Sequence, residues 1–310
     1  MKNELIKIAV KYPAISNRLH GFVKRLWYIK SHFINYNYPE NKQLATVTKE
    51  QLIKYNENRI YGPKKKFCYA AFNNIHFSTN GDVSSCSFND NSKIGNIHNN
   101  TLKEIWNSTL AENFRNIISN CNLSKCVNCS NHLKMENYTS FPPIKYDYYS
   151  SDHSNFPTQM SFEISNLCNL ECIMCNEELS SQIRKNKAKL PPLKNVYPDN
   201  FAEQLKEFIP HLKTATFIGG EPLLIKKYYE IWDRILKINP QCKIHIQTNA
   251  TVIPDRFKKY LESGQFDMGV SIDAPTKETY EKIRVNGNFE DVIANIEYLK
   301  KLRDKGKLYL

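Results

Sequence analysis

Long apolar runs are missing from this 310-residue chain; none exceeds a handful of residues, far short of the about 20 that a membrane-spanning helix needs. The opening MKNELIKIAVKYP has no extended apolar core and no small-residue cleavage site, which argues against a secretory signal. A cytoplasmic protein is expected. In that compartment the Asn-x-Ser/Thr triplets, such as Asn107-Ser108-Thr109, carry no glycosylation meaning, and the 9 cysteines stay reduced. Internal repeats, low-complexity tracts and RNA-binding motifs are also absent. The length allows one large domain or two ordinary ones, with cores that fold without disulfides.

Acidic residues are scarce at the start of the chain. Residues 1–66 hold 14 Lys/Arg against 4 Asp/Glu and supply +10 of the net +12. A basic arm therefore precedes a nearly neutral body. From Ile15 the arm reads ISNRLHGFVKRLWYIK, with Ile15, Leu19, Phe22, Leu26 and Ile29 at helical spacing. Arg18, Lys24, Arg25 and Lys30 lie mostly off that stripe. A docked helix with a solvated basic face is one reading; contact with an acidic peptide, RNA or anionic lipid is the other.

Four segments follow from composition. Residues 1–60 form the basic, partly helical arm, and 61–135 hold five cysteines with short strand and turn signals. The tyrosine-rich, proline-containing stretch 136–157 reads as a linker. From 158 to 310, strand patterns (QMSFEIS, LKTATFIGG, KIHIQTNAT, FDMGVSIDA) alternate with helical ones. That alternation predicts an α/β fold with right-handed βαβ units and a parallel sheet, four units in all. The final LYL looks like the opening of a fifth strand, so the expectation is a fragment or a half-open sheet.

Chemistry concentrates in SNLCNLECIMC, Ser165 to Cys175. Cys168, Cys172 and Cys175 directly follow the first of these strands, at the sheet edge where such folds gather active sites. A structural zinc site wants four ligands, whereas three thiolates suit a [4Fe–4S] cluster with one iron open. A zinc or buried-thiol loop with a further ligand elsewhere is the plain alternative. CNLECIMC resembles the C-x3-C-x2-C signature of radical S-adenosylmethionine (SAM) enzymes. In that family the open iron chelates SAM, and one electron cleaves it to methionine and a 5′-deoxyadenosyl radical that abstracts a substrate hydrogen. Met174 stands where many members have an aromatic residue against adenine.

FIGGEP, Phe217 to Pro222, resembles the family's GGEP motif, whose glutamate and glycine backbone hold the SAM amino group. Gly219 and Gly220 allow close backbone approach, and Glu221 offers a carboxylate to an ammonium group. In VSIDAP, Ser271 and Asp273 would emerge on one strand face. The family often places polar residues there for ribose or the SAM carboxylate; a helix cap is the alternative for Asp273. Asn249, ending the third strand, is a further lining candidate. Cys242 reads as a plain buried or edge thiol.

The segment before these units opens with FCYAAFNNIHFSTNGDVSSC, where Asn80-Gly81 marks a hairpin with Cys68 and Cys86 on its arms. CNLSKCVNC follows with Cys121, Cys126 and Cys129. The pattern Cys68-x12-Gly81-x4-Cys86, then GNI and LKEIWNS, resembles the SPASM and twitch auxiliary-cluster domains attached to radical SAM enzymes. Here it stands before the barrel and has five cysteines rather than seven, like the shorter one-cluster twitch form. The resemblance implies an auxiliary [4Fe–4S] cluster on Cys68, Cys86, Cys126 and Cys129, with Cys121 spare. Zinc suits the same four residues.

The resemblance covers about residues 66–135 and 158–310 and implies a radical SAM enzyme with a partial (β/α) barrel. A peptide or protein substrate is expected by family analogy, with a reducing partner such as flavodoxin or ferredoxin. RNA or sugar modification, and a non-catalytic cluster-binding or scaffold protein, are the competing readings.

Overall fold

A computed structural model describes residues 46–88, 92–136, 138, 141–149, 155–261 and 265–308. All the described residues belong to one compact unit, Leu44–Leu310. The helix expected from Ile15 lies outside the described residues.

The four expected β/α units are present. Strands β4 (Gln159–Phe162), β5 (Thr214–Phe217), β6 (Lys243–Thr248) and β7 (Phe266–Val270) pair in parallel. The helices Lys226–Ile238 and Asp255–Leu261 connect the later strands, and Phe289–Asp304 follows β7. A shorter helix, Lys277–Ile283, was not anticipated.

The cysteine-rich segment contributes β1 (Asn74–Phe77), β2 (Asp82–Ser84) and β3 (Lys93–Asn96). Asn80-Gly81 turns the β1–β2 hairpin as expected, with Gly81 at φ +81. Cys68 is not on a hairpin arm, because the helical turn Ala70–Asn73 intervenes before β1. β1 pairs in parallel with β4, so the sheet runs without a break in the order β3-β2-β1-β4-β5-β6-β7. The division at 135 and 158 is therefore not a break in the sheet.

The linker expected at 136–157 is packed structure over its described part. Pro142–Tyr146 form a 3-10 helix, and Phe141, Pro142, Pro143, Tyr146 and Asp147 are buried. Proline locks φ near the helical value, which here starts a turn and does not break one.

The two faces of the sheet differ. One carries Ile75, Phe77, Met160, Phe162, Ala215, Phe217, Ile244, Ile246, Phe266 and Met268, all buried. Phe77, Phe162 and Phe217 stack in a row, and Phe201, Tyr228, Trp232 and Phe257 cover this face from the helices. The other face carries a polar row in register across five strands: His76, Ser161, Thr216, His245 and Asp267. Parallel sheets are ordinarily apolar on both faces, so this alternation leaves one face to polar contacts.

Candidate functional site

After β4 the chain leaves the sheet as the three-cysteine loop. Tyr228 pins its root: the hydroxyl lies 2.8 and 2.7 Å from the Phe162 and Ile218 carbonyls, its one hydrogen shared between them, and accepts from Ile164 N–H (3.2 Å). The loop is then held from three sides. Gly220 N–H donates to the Ser165 carbonyl (3.0 Å) and Glu221 N–H to the Leu167 carbonyl (2.7 Å). Asn249 Nδ2 donates to Asn169 Oδ1 (3.0 Å), and Asn169 Nδ2 to Thr251 Oγ1 (2.8 Å). Glu171 and Ile173 N–H donate to the Val285 and Ile283 carbonyls, both at 2.9 Å.

Both glycines serve this contact. Gly219 has φ +108, and a Cβ there would stand 2.7 Å from the Ser165 carbonyl oxygen. A Cβ on Gly220 would stand 2.2 Å from that of Leu167. The close approach that the sequence assigned to a ligand is made first by the cysteine loop itself.

Cys172 is buried, while Cys168 and Cys175 are half-buried. Burial pushes the Cys168 thiol up to about 11, against a Leu170 N–H bond to its sulfur, and the charges of Glu221, Cys172 and Cys175 add to the rise. Burial also raises Cys172, and the Arg284 guanidinium opposes it. Cys168 and Cys172 raised in this way are poor thiolates by themselves. They fit a cationic iron group that takes over their charge.

Glu221 is 2 % exposed. Its Oε1 accepts from Leu223 N–H (3.2 Å) and the Thr248 hydroxyl (2.7 Å), and Oε2 from Asn249 N–H (2.8 Å). The carboxylate expected to meet an ammonium group thus locks the end of β5 to the end of β6. An ionised carboxylate has about four acceptor positions, which leaves one beyond these three bonds. Burial pushes its pKa up to about 7 against the pull of those bonds.

Asn249 is buried and anchors the cysteine loop through Asn169. β7 ends at Val270, so Ser271 and Asp273 lie in the loop beyond it and not within the strand. Ser271 Oγ accepts from Gln247 Nε2 at 2.7 Å. Asp273 is not a helix cap: the next helix starts at Lys277 behind Thr276. It pairs instead with Arg284, Nε to Oδ2 2.7 Å, and Arg284 Nη1 reaches Cys172 Sγ at 4.0 Å. Sequence reading missed Arg284, since nothing local sets it apart from 42 other Lys/Arg residues. Met174 is 59 % exposed beside the thiols.

The second cysteine cluster rings a recess with about 420 Å³ of empty space, counting its mouth. Cys68, Cys86, Cys126 and Cys129 line it with Phe114, Ile118 and Tyr146; Cys121 does not. All four thiols are buried, and Cys242 is buried elsewhere. Burial pushes Cys68 and Cys129 well up, and the neighbouring thiols add to it. Ala70 N–H donates to Cys68 Sγ (3.4 Å) and Phe88 N–H to Cys86 Sγ (3.3 Å). Among the described residues no three His, Cys, Asp or Glu side chains stand so as to hold a metal ion. Four buried thiols with apolar walls and N–H donors on sulfur fit an iron–sulfur group.

Residues 162–308 match the radical SAM superfamily, and residues 68–130 match the SPASM iron–sulfur cluster-binding domain. Among curated proteins, a GTP 3′,8-cyclase of Lactiplantibacillus plantarum is 26% identical over 161 residues, covering 52% of this chain and 46% of that one. A cysteine-type anaerobic sulfatase-maturating enzyme of Clostridium novyi is 30% identical over 155 residues, 45% of this chain and 39% of that one. The chain thus spans less than half the length of these relatives. A solved structure described as native anSMEcpe with bound AdoMet is 24% identical, covering 49% of this chain and 41% of that chain with a TM-score of 0.37. No described helix is long and apolar enough to cross a membrane. Both matches fall on the cysteine sites just described: the chain carries a SPASM domain ahead of a radical SAM domain, which implies SAM and iron–sulfur clusters as cofactors.

Proposed function

We propose that the chain is the catalytic part of a radical SAM enzyme that modifies a peptide or protein. The observation that carries this is the three-cysteine loop, held against the GGE turn by backbone hydrogen bonds at the end of a parallel sheet. In this reading Cys168, Cys172 and Cys175 hold one [4Fe–4S] cluster, and Cys68, Cys86, Cys126 and Cys129 hold the auxiliary one. When bound, the first cluster supplies the electron that splits SAM and yields a 5′-deoxyadenosyl radical.

The chain's own residues then orient and enclose. Gly219, Gly220 and Glu221 form the wall facing the thiols, with Ser271 and Asp273 at the rim and Met174 open to adenine. Asn249 acts through Asn169 and keeps the loop in place. Thr216, His245 and Asp267, the half-buried end of the polar row, are the surface for the substrate. Within it His245 Nδ1 stands 2.9 Å from Asp267 Oδ2, a half-exposed pair able to meet a hydrogen-bonding group.

A protein substrate is favoured because the SPASM match accompanies a relative named for maturing a sulfatase. A nucleotide substrate is the second reading, since two of the relatives are cyclases named for GTP. A cytoplasmic site and a flavodoxin- or ferredoxin-type donor belong to the same proposal. Anaerobic reconstitution, iron and sulfide analysis and a 5′-deoxyadenosine assay test it. Reductive cleavage of SAM is expected; its absence in protein loaded with both clusters would overturn the reading.

A further inference from the structure

Beside the auxiliary recess lies a buried ion pair that neither matched segment contains. Arg59 and Asp147 have side chains 0% exposed, with Nε 3.2 Å from Oδ2. Arg59 Nη2 donates to the Lys66 and Phe67 carbonyls at 2.8 and 2.7 Å, and the guanidinium lies 4.1 Å over the Tyr55 ring. The Tyr55 hydroxyl donates to Asp147 Oδ2 at 3.4 Å. Arg59 therefore grips the chain directly before Cys68, and Asp147 directly follows Tyr146, which lines the recess.

Burying both charges costs several kcal/mol per ion before their attraction is counted, and apolar side chains of similar volume often serve stability equally well. Packing alone thus does not call for this pair. Its location gives a reason. Four thiols stand in the adjoining apolar recess, and one of them, Cys68, directly follows Phe67, whose carbonyl Arg59 holds. An iron–sulfur group there is anionic, and nearby charge, hydrogen bonds and burial set its potential.

We propose that Arg59 and Asp147 position the auxiliary iron–sulfur group and set its reduction potential with opposite signs, Arg59 favouring the reduced, more negative form and Asp147 opposing it. This rests on the four-thiol reading of the recess above.

The test uses the full chain with Cys168, Cys172 and Cys175 changed to Ala, so that all cluster iron is auxiliary. Redox titration at pH 8, followed by electron paramagnetic resonance, reads the midpoint. Asp147→Asn leaves the cation and should move the midpoint up. Arg59→Met leaves the anion and should move it down, and the double variant should return towards the parent. Arg59→Lys keeps the charge without the fork, so it should hold the midpoint near the parent with less iron. Shifts of the same sign, or no shift with iron retained, overturn the proposal. Loss of iron from Asp147→Asn and Arg59→Lys alike also overturns it and makes the pair a packing element. A parent protein that binds no iron would instead sink the four-thiol reading itself.

Discussion

Replacing Glu221 probes the lock between the strand ends and the cysteine loop. In Glu221→Ala, Leu223 N–H, Asn249 N–H and the Thr248 hydroxyl all lose their acceptor. The hydroxyl can turn to another partner, but the two backbone donors cannot. At about 1–3 kcal/mol for each buried unsatisfied donor, the loss is about 2–6 kcal/mol. That is a large part of the roughly 5–15 kcal/mol that holds a domain together. Glu221→Gln keeps one oxygen for Leu223 and Thr248 and turns an amide N–H₂ towards Asn249 N–H, so one donor stays unmet, at about 1–3 kcal/mol. Urea unfolding of the iron-free protein should rank wild type, Gln and Ala in that order. The pH dependence has a definite sign. Glu221 titrates at about 7 in the folded chain and at 4.5 in the unfolded one, so between those values the folded state holds the extra proton. The stability it contributes is full below about 4.5 and lost as pH rises through about 7, at most about 3 kcal/mol. That slope should vanish in Glu221→Gln. Because Asn249 and the Glu221 backbone hold the cysteine loop, Glu221→Ala should also lose iron from the three-cysteine site and keep the auxiliary iron. Equal urea midpoints for wild type and Glu221→Ala would refute the reasoning.

Changing Cys168, Cys172 and Cys175 together to Ala should remove about four irons and all SAM cleavage, with about four irons left; cleavage that survives would break the assignment. Gly220→Ala puts a methyl group 2.2 Å from the Leu167 carbonyl oxygen. The strain should cost about 1–3 kcal/mol and deplete iron at the three-cysteine site alone, as iron analysis against the triple variant would show. Deleting residues 1–43 should spare both iron sites, and any acidic partner should then bind more weakly and with less dependence on salt. Deleting 1–55 also removes Tyr55, which packs on Phe67 and Phe141. It should cost about 3–5 kcal/mol and release auxiliary iron, and an unchanged iron content would show that the aromatic packing does not support the recess.

Local chemistry was legible in the sequence because it depends on neighbours in the chain. Alternation of period two and period 3.6 marked the four β/α units, Asn80-Gly81 marked a turn that needs positive φ, and the spacing of Cys168, Cys172 and Cys175 put three thiols on one loop. Contacts across the chain left no such trace. That Cys68 and Cys129 meet at one recess with Cys121 outside it was open to sequence reading only through the family resemblance, because it depends on how the helices Thr109–Ser119 and Val127–Lys134 pack. The pairing of β1 with β4 joins two segments across residues 136–157, a stretch polar enough to pass for a linker. Glu221 reads as a ligand-facing carboxylate until folding brings Thr248 and Asn249 to it, and Arg59, Asp147 and Arg284 are ordinary surface charges until burial pairs them. A side chain's type is local, but its partners are set by burial and by loop closure over tens of residues, so only the tertiary structure decides them.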